Sequence, residues 1–493
     1  LTAAQIPALQ VVVALLAAPV CLILRRPRVA WLIALVATWA SLVMALILLF
    51  SVLKVGPISY LLGDWEAPWG IEYRIDMVSA FLLVIVTTIG SLVIPYAQAS
   101  VEAEVPAARV YLFYCMYLLN LAGLLGIVIT GDVFNLFVFL EISSLSSYVL
   151  ISLGKDRRAL IAAYRYLVMG TIGATFYVIG VGLTYMMTGS LNMVDLATLM
   201  PAVIDTRTIH VALAFLTVGL SLKLALFPLH VWLPNAYTYA PSAVSAFIAA
   251  TGTKVAVYAL LRIVFTVFGE VDVLSFPGVQ EVLLTLAAAA MIGASATAIY
   301  QENVKRVLAY SSLAQIGYMV VGIGMESATG LAGSIVHLFN HALMKGGLFM
   351  VLGCVFLRLG SVEIADMHGL AKRMPLTMAA FVAGGLSLIG VPLSVGFISK
   401  WYLVQGALEK GWWAAVAVIL ASSILAIVYI WRIVEVAYFR PRPEGAPAVS
   451  EAPASLLVPT WMMIGACYYF GIDATRTLDV AVGAAETLLG GLR

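Results

Sequence analysis

The chain has 493 residues, 63% of them hydrophobic and only 11% charged, with a mean hydropathy of +1.05. No soluble globular domain has that composition, so the sequence reads as an integral membrane protein. A net charge of +2 without any basic tract excludes a nucleic-acid-binding surface.

A membrane-crossing helix needs about 20 mostly apolar residues. By that ruler the chain holds about fourteen spans, near 6–24, 29–53, 77–97, 110–130, 132–153, 160–187, 208–231, 240–267, 280–300, 307–325, 331–358, 376–405, 412–434 and 454–471. The runs are continuous and rich in Leu, Ala and Val. They lack the ten-residue alternation of barrel strands, so they are helices. The first run leads into Arg25-Arg26-Pro27-Arg28 without a small-residue cleavage site and reads as a retained span.

One alternate set of loops carries Arg25, Arg26, Arg28, Arg109, Lys155, Arg157, Arg158, Lys305, Arg306, Lys372, Arg373, Arg440 and Arg442. The other set is richer in acids, including Asp64, Glu66, Asp76, Glu270 and Asp272. The positive-inside rule places the first set in the cytoplasm and both termini outside. The Pro-rich loop 440–455 is the expected flexible segment. Cys21, Cys115, Cys354 and Cys467 stand singly in apolar runs and offer neither a disulfide framework nor a metal cluster.

Several ionisable residues fall inside the spans. Glu141 comes first, in Asn135-Leu-Phe-Val-Phe-Leu-Glu-Ile-Ser-Ser. Lys223 opens Lys223-Leu-Ala-Leu-Phe-Pro-Leu-His-Val-Trp-Leu-Pro-Asn-Ala236, where Pro228 and Pro234 break the helix. A charge at the bilayer centre costs about 3 kcal/mol or more, so a segment that accepts both charge and break points to an ion site. The other reading is a kinked helix whose lysine snorkels to the interface. His230 lies just past Pro228 and suits either a proton relay or a cap on loosened carbonyls.

Lys254 sits mid-span in Ala249-Ala-Thr-Gly-Thr-Lys-Val. His337, His341 and Lys345 recur every four residues and so share one helix face, a ladder roughly 12 Å long. Lys400 follows Gly390, Pro392 and Gly396, which mark a second broken helix. Burial penalises a lysine's charged form, and histidine both donates and accepts, so a row of such groups joined by water is a candidate proton wire. Each lysine alone has a second reading as a donor to loose carbonyls. Arg165 and Arg262 lie nearer span ends and read as anchors. Asp132 reads as a helix-start acid, and Lys305-Arg306 as a boundary marker. His337-x-x-x-His341 has no nearby carboxylate or cysteine to complete a metal site, and no cofactor-binding motif appears.

In family order, the sequence contains Gly131-Asp-Val-Phe-Asn-Leu-Phe-Val-Phe-Leu-Glu141, the Lys223–Ala236 stretch, Val304-Lys-Arg-Val-Leu-Ala-Tyr-Ser-Ser-Leu-Ala-Gln-Ile-Gly-Tyr318, His337-Leu-Phe-Asn-His-Ala-Leu-Met-Lys-Gly346 and Gly390–Lys400. On these motifs nearly the whole chain resembles the antiporter-like subunits of Mrp-type Na+/H+ antiporters, respiratory complex I and membrane-bound hydrogenases. Its Gly-Asp-x-Phe-Asn lead-in is most like the D-type member of the Mrp set. The chain ends at Arg493 without the long lateral helix of the largest members, which sets it apart from the complex I L-type and Mrp A-type subunits.

The resemblance implies an all-α polytopic fold with about fourteen transmembrane helices and two inverted five-helix repeats, with helices 7 and 12 broken. The implied division is 1–109 for helices 1–3, 110–267 for the first repeat, 268–434 for the second, and 435–493 for a loop and helix 14. It carries roles over to Glu141 and Lys223 as an ion pair, to Lys254, His337, His341 and Lys345 as a central relay, and to Lys400 as the exit-side lysine. The family often has lysine where this chain has Arg165, and arginine does not release its proton.

The implied function is proton translocation within a multisubunit monovalent cation (Na+)/H+ antiporter in a bacterial or archaeal cell membrane. The chain would be a secondary transporter subunit with no cofactor, joined by Mrp A-, B-, C-, E-, F- and G-like membrane subunits. Two rivals stand beside it: a proton-pumping subunit of a complex I-like oxidoreductase or membrane-bound hydrogenase, and a scaffold with a vestigial relay.

Overall fold

A computed structural model describes residues 5–269, 271–442 and 449–490. Glu270 and positions 443–448 of the loop expected to be flexible lie outside the described residues. Helices α1 (Ile6–Leu24) and α2 (Pro27–Val55) lead to a short antiparallel hairpin of β1 (Ile58–Leu61) and β2 (Glu72–Ile75). Then come α3 (Met77–Glu104), α4 (Val110–Ile129), α5 (Val133–Ser152), α6 (Arg158–Thr188), the short α7 (Met193–Val203), α8 (Arg207–Leu224) and α9 (Leu233–Tyr239). α10 (Ser242–Arg262) ends in a wide turn over Ile263–Val267. α11 (Val279–Ala289) continues through a similar turn into α12 (Ser295–Ile299). The chain closes with α13 (Val304–Gly324), α14 (Ala328–Leu359), α15 (Pro375–Ile389), α16 (Val395–Glu409), α17 (Trp413–Phe439), α18 (Ala454–Ile472) and α19 (Thr475–Gly490).

Among the described residues, 13 helices are long and apolar enough to cross a membrane. The α15–α16 pair supplies one more span in two pieces, in line with the fourteen expected. The hairpin, α7 and α19 lie outside the spans that hydropathy marks. α19 is amphipathic and lays Val480, Ala481, Ala484 and Leu488 on the bundle, against α14 and α3.

Burial sorts the helices. The apolar windows of α10 and α13 are 94% buried, against 28% for α17. Small residues let α10 sit so deep: Ala243, Ala246, Ala249, Ala250, Ala256 and Ala259 are all buried. A lysine on α10 or α14 therefore faces protein and not lipid.

The Gly131-Asp132 turn is an assembly point. Gly131 N donates to Glu72 O and Met193 N donates to Gly131 O, both at 2.8 Å. Asp132 then caps α5 by accepting from Asn135 N at 2.6 Å, and its backbone bridges Asn192. Asn303 repeats the device: it caps α13 and bridges Glu363, 60 residues on, the same separation as between Asp132 and Asn192. The two halves of the fold thus share one way of starting their helix pairs.

Arg262 reads from sequence as an anchor near a span end, but it forms a buried ion pair. Its Nη2 donates to Asp76 Oδ1 at 2.5 Å and its Nε to Tyr258 Oη at 2.9 Å. Asp76 is also the N-cap of α3. Burial raises the Asp76 carboxyl, but the Arg262 guanidinium outweighs it and holds the group below the usual carboxylate range. Removing one partner of such a pair typically costs about 3–5 kcal/mol, because the other is left buried and charged. Asp76→Asn should therefore lower the thermal midpoint of the purified protein by many degrees; a midpoint unchanged in detergent would show that the pair contributes no stability.

Glu326, in the turn between α13 and α14, behaves oppositely. Burial first, then a hydrogen bond and repulsion from Asp272, push its carboxyl up to about 7, with Lys410 opposing. The folded state therefore favours the protonated form. The stability this contributes is complete below the ordinary value of 4.5 and fades as pH rises through 7. Glu326→Gln should flatten the fall in thermal midpoint between pH 6 and pH 8, and identical slopes in the two proteins would reject the assignment.

Candidate functional site

α8 ends one residue after Lys223. Ala225 turns the chain with φ of 62°, and α9 starts only at Leu233. The break is satisfied locally: Leu226 N donates to Ser221 O at 2.9 Å and the Trp232 indole to Leu222 O at 3.0 Å. Trp232 in turn stacks on Tyr166 of α6 at 3.8 Å, which fixes the broken segment against the bundle. Lys223 sits in the last turn of α8, where the helix dipole favours a cation.

The Lys223 Nζ donates to Glu141 Oε1 at 3.1 Å and to Ser144 Oγ at 2.7 Å. The lysine side chain is 4% exposed and the carboxylate side chain 25%. Sequence spacing places Glu141 and Ser144 nearly one turn apart on α5, so one amine reaches both. Next to them Asn120 of α4 donates to Ser143 O and to Ser147 Oγ, each at 2.6 Å. Gly123 lets α4 come that close, since a Cβ there would lie 2.6 Å from Ser143 N.

Lys254 is fully buried on α10 and bonds within its own helix, to Ala249 O and, at 3.4 Å, to Thr253 Oγ1. The ladder on α14 forms as expected. The rings of His337 and His341 stack 5.8 Å apart, 6° from parallel. Lys345, one turn on, donates to Leu308 O at 2.8 Å and to Ser311 Oγ on α13. His337 Nδ1 shares a 2.7 Å hydrogen bond with Ser399 Oγ, which ties the ladder to the residue beside Lys400.

Lys400 reaches back across the second break. Its Nζ donates to Leu388 O at 3.1 Å, Ile389 O at 2.8 Å and Ser423 Oγ at 3.0 Å. Two glycines make the contact possible. Gly390 turns the chain at φ of 93°, and a Cβ on Gly396 would lie 1.8 Å from Ser387 O. Tyr318 lies under the amine, 5.0 Å from ring to Nζ, and its hydroxyl is 3.1 Å from the same Ser423 Oγ.

The structure thus brings together Glu141 with Lys223, His337 with His341, and the ladder with Lys400 through Ser399 and Tyr318. Among the described residues no direct hydrogen bond joins Lys223 to Lys254, or either to the ladder. His230 stays in the broken segment, stacked on Phe227 at 5.2 Å, and its Nδ1 has no partner among the described residues. Arg165 is exposed. Lys305 is buried, contrary to its reading as a boundary marker, and donates to Ala240 O at 3.1 Å.

Hydroxyls are what sequence reasoning missed. Among the described residues, the buried hydroxyls of Tyr148, Tyr237 and Tyr429 lie near Ser144, Thr253 and Ser311 without a well-formed hydrogen bond, and His337 Nε2 and both ring nitrogens of His341 have no hydrogen-bond partner. Such groups normally have hydrogen-bond partners, and orphaning one costs about 1–3 kcal/mol. Buried polar atoms of this kind can bond water. No three ligating side chains converge as a metal site would require, among the described residues.

A family model for the transmembrane region of NADH:quinone oxidoreductase and Mrp antiporter subunits matches residues 130–426. The chain is 48% identical over 415 residues to the N-type subunit of NADH-quinone oxidoreductase from Desulforudis audaxviator (strain MP104C), covering 82% of each. It is 31% identical over 429 residues to the D-type subunit of the Na(+)/H(+) antiporter from Alkalihalophilus pseudofirmus, covering 87% of this chain and 85% of that one. A chain of the Mrp complex from Dietzia sp. DQ12-45-1b superposes with a TM-score of 0.91 at 25% identity, over 99% of this chain and 97% of that one. A chain of the membrane-bound sulfane sulfur reductase, an archaeal respiratory membrane complex, gives 0.90 at 30% identity over 98% of each.

Proposed function

The chain belongs to the NADH:quinone oxidoreductase/Mrp antiporter family of transmembrane subunits, and from that premise we propose that it carries protons along the row from Glu141 to Lys400 in a prokaryotic cell membrane. The observation that carries this reading is the Glu141–Lys223 pair set at a helix break in a bundle that also buries a histidine–lysine ladder. Glu141 and Lys223 switch together: a proton arriving on Glu141 removes the charge that holds the ammonium. Lys254, Lys345 and the two histidines pass the proton through water lodged on the orphaned hydroxyls and ring nitrogens. Lys400 hands it on at the far end. His230 is left outside this route.

The host is a complex of several membrane subunits. The first reading is a Na+/H+ antiporter of the Mrp type, supported by superposition over almost the full chain. The second is a redox-driven complex, supported by the 48% identity to an N-type oxidoreductase subunit. On this reading the two repeats occupy 110–267 and 268–434. Purifying the complex from native membranes decides the host. Small membrane subunits with no redox centre support the antiporter; co-eluting flavin or iron–sulfur subunits support the redox complex. A chain that elutes alone and conducts no protons in vesicles would end both readings.

A further inference from the structure

Three arginines converge at one end of α6. Arg158 opens the helix, Arg165 stands two turns on along the same face, and Arg306 comes from the first turn of α13. They line a cleft of about 300 Å³ together with Asn235 and Tyr239 of α9. Two carboxylates act on Arg158: Asp156 accepts from its Nε at 3.0 Å and its Nη2 at 2.8 Å, and Glu363 attracts it from farther off, while its guanidinium rests 4.7 Å over the Tyr239 ring. Arg306 Nε is buried with no partner among the described residues. Like charges this close repel, so the cleft favours an anion with several oxygens, and phosphate fits the arginine fork.

The cleft does not stand alone. Beyond Arg165 the same helix carries a mainly apolar groove of about 510 Å³ lined by Leu167, Val168, Ile172 and Phe176, with Thr171 and Thr175 among them. A cationic cleft at the helix end with an open apolar groove farther along the same helix matches a phosphate headgroup with its acyl chain. The loop holding Lys155, Arg157 and Arg158 puts the cleft at the cytoplasmic leaflet, where anionic lipid is found.

We infer that this cleft and groove bind one anionic glycerophospholipid, whose phosphate bridges α6, α9 and α13. The lipid clamps the segment that follows the first helix break. This site is separate from the proton row and does not depend on it.

The test uses the complex as purified, exchanged into nanodiscs of phosphatidylglycerol and phosphatidylcholine, with retained lipid read by native mass spectrometry. The unaltered protein should keep one phosphatidylglycerol that the Arg165→Gln/Arg306→Gln variant binds at least tenfold more weakly. Arg165 is exposed, so Arg165→Gln alone supplies the reading if the double variant fails to assemble. Ile172→Trp, which fills the groove and leaves the arginines, should also lose the lipid. Retention of phosphatidylglycerol at unchanged affinity in the arginine variants would overturn the assignment. So would its displacement by millimolar inorganic phosphate, or crosslinking of position 165 to an acidic segment of another polypeptide in the complex.

Discussion

Glu141→Gln abolishes ΔpH-driven proton transport by the reconstituted complex. The substitution keeps the shape of the side chain and removes its charge, leaving the Lys223 ammonium with neutral acceptors alone, the amide oxygen and Ser144 Oγ at 2.7 Å. An ammonium stranded in that way costs about 3–5 kcal/mol. If 3 kcal/mol of that reaches the barrier, transport slows about a hundredfold. Lys223→Ala acts from the other side and strands the carboxylate. Both complexes should still assemble, because Trp232 and Ser221 hold the break without either residue. Wild-type rates in vesicles from either variant would reject a shared switch at this pair.

Lys400 gives the second large effect, and two substitutions separate its roles. Lys400→Ala removes both a proton carrier and the donor to Leu388 O and Ile389 O. It should lose stability and transport together. Lys400→Arg restores a cation at the end of α15, yet a guanidinium holds its proton at any working pH. That variant should regain much of the stability while transport remains below about a tenth of normal. Transport that recovers with arginine would make Lys400 a structural clasp.

The spans, both breaks and the charged row are legible in the sequence because each violates an expectation of its surroundings. A lysine in an apolar run or a proline inside a helix stands out against hydropathy alone. The hydroxyls do not stand out, since Tyr148, Tyr237 and Tyr318 look like ordinary apolar-span residues until neighbours are placed beside them. Arg262 is misread for the same reason: its partner Asp76 is 186 residues away in sequence. α19 is too polar for a span ruler, although its buried face at Thr477, Val480, Ala481, Ala484 and Leu488 follows helical spacing. Lys305 beside Arg306 looks like a loop pair, and only the fold shows one buried and the other lining a cleft.

Both helix breaks close locally, but the half-helix that leads into the second one is capped from far along the chain. The first is tied by residues within ten positions of each other. The half-helix α15 opens on Pro375, and its next free amide, on Leu376, donates to Glu451 Oε2 at 2.8 Å; the Thr377 hydroxyl donates to the same carboxylate. Arg358 Nη2 holds the Glu451 carbonyl at 2.6 Å. During synthesis, then, the N-terminal half sets its break as soon as α9 has emerged. The second break is likewise set once Lys400 has emerged, but the start of α15 must wait for residue 451 to leave the ribosome before its first amides and Thr377 are capped.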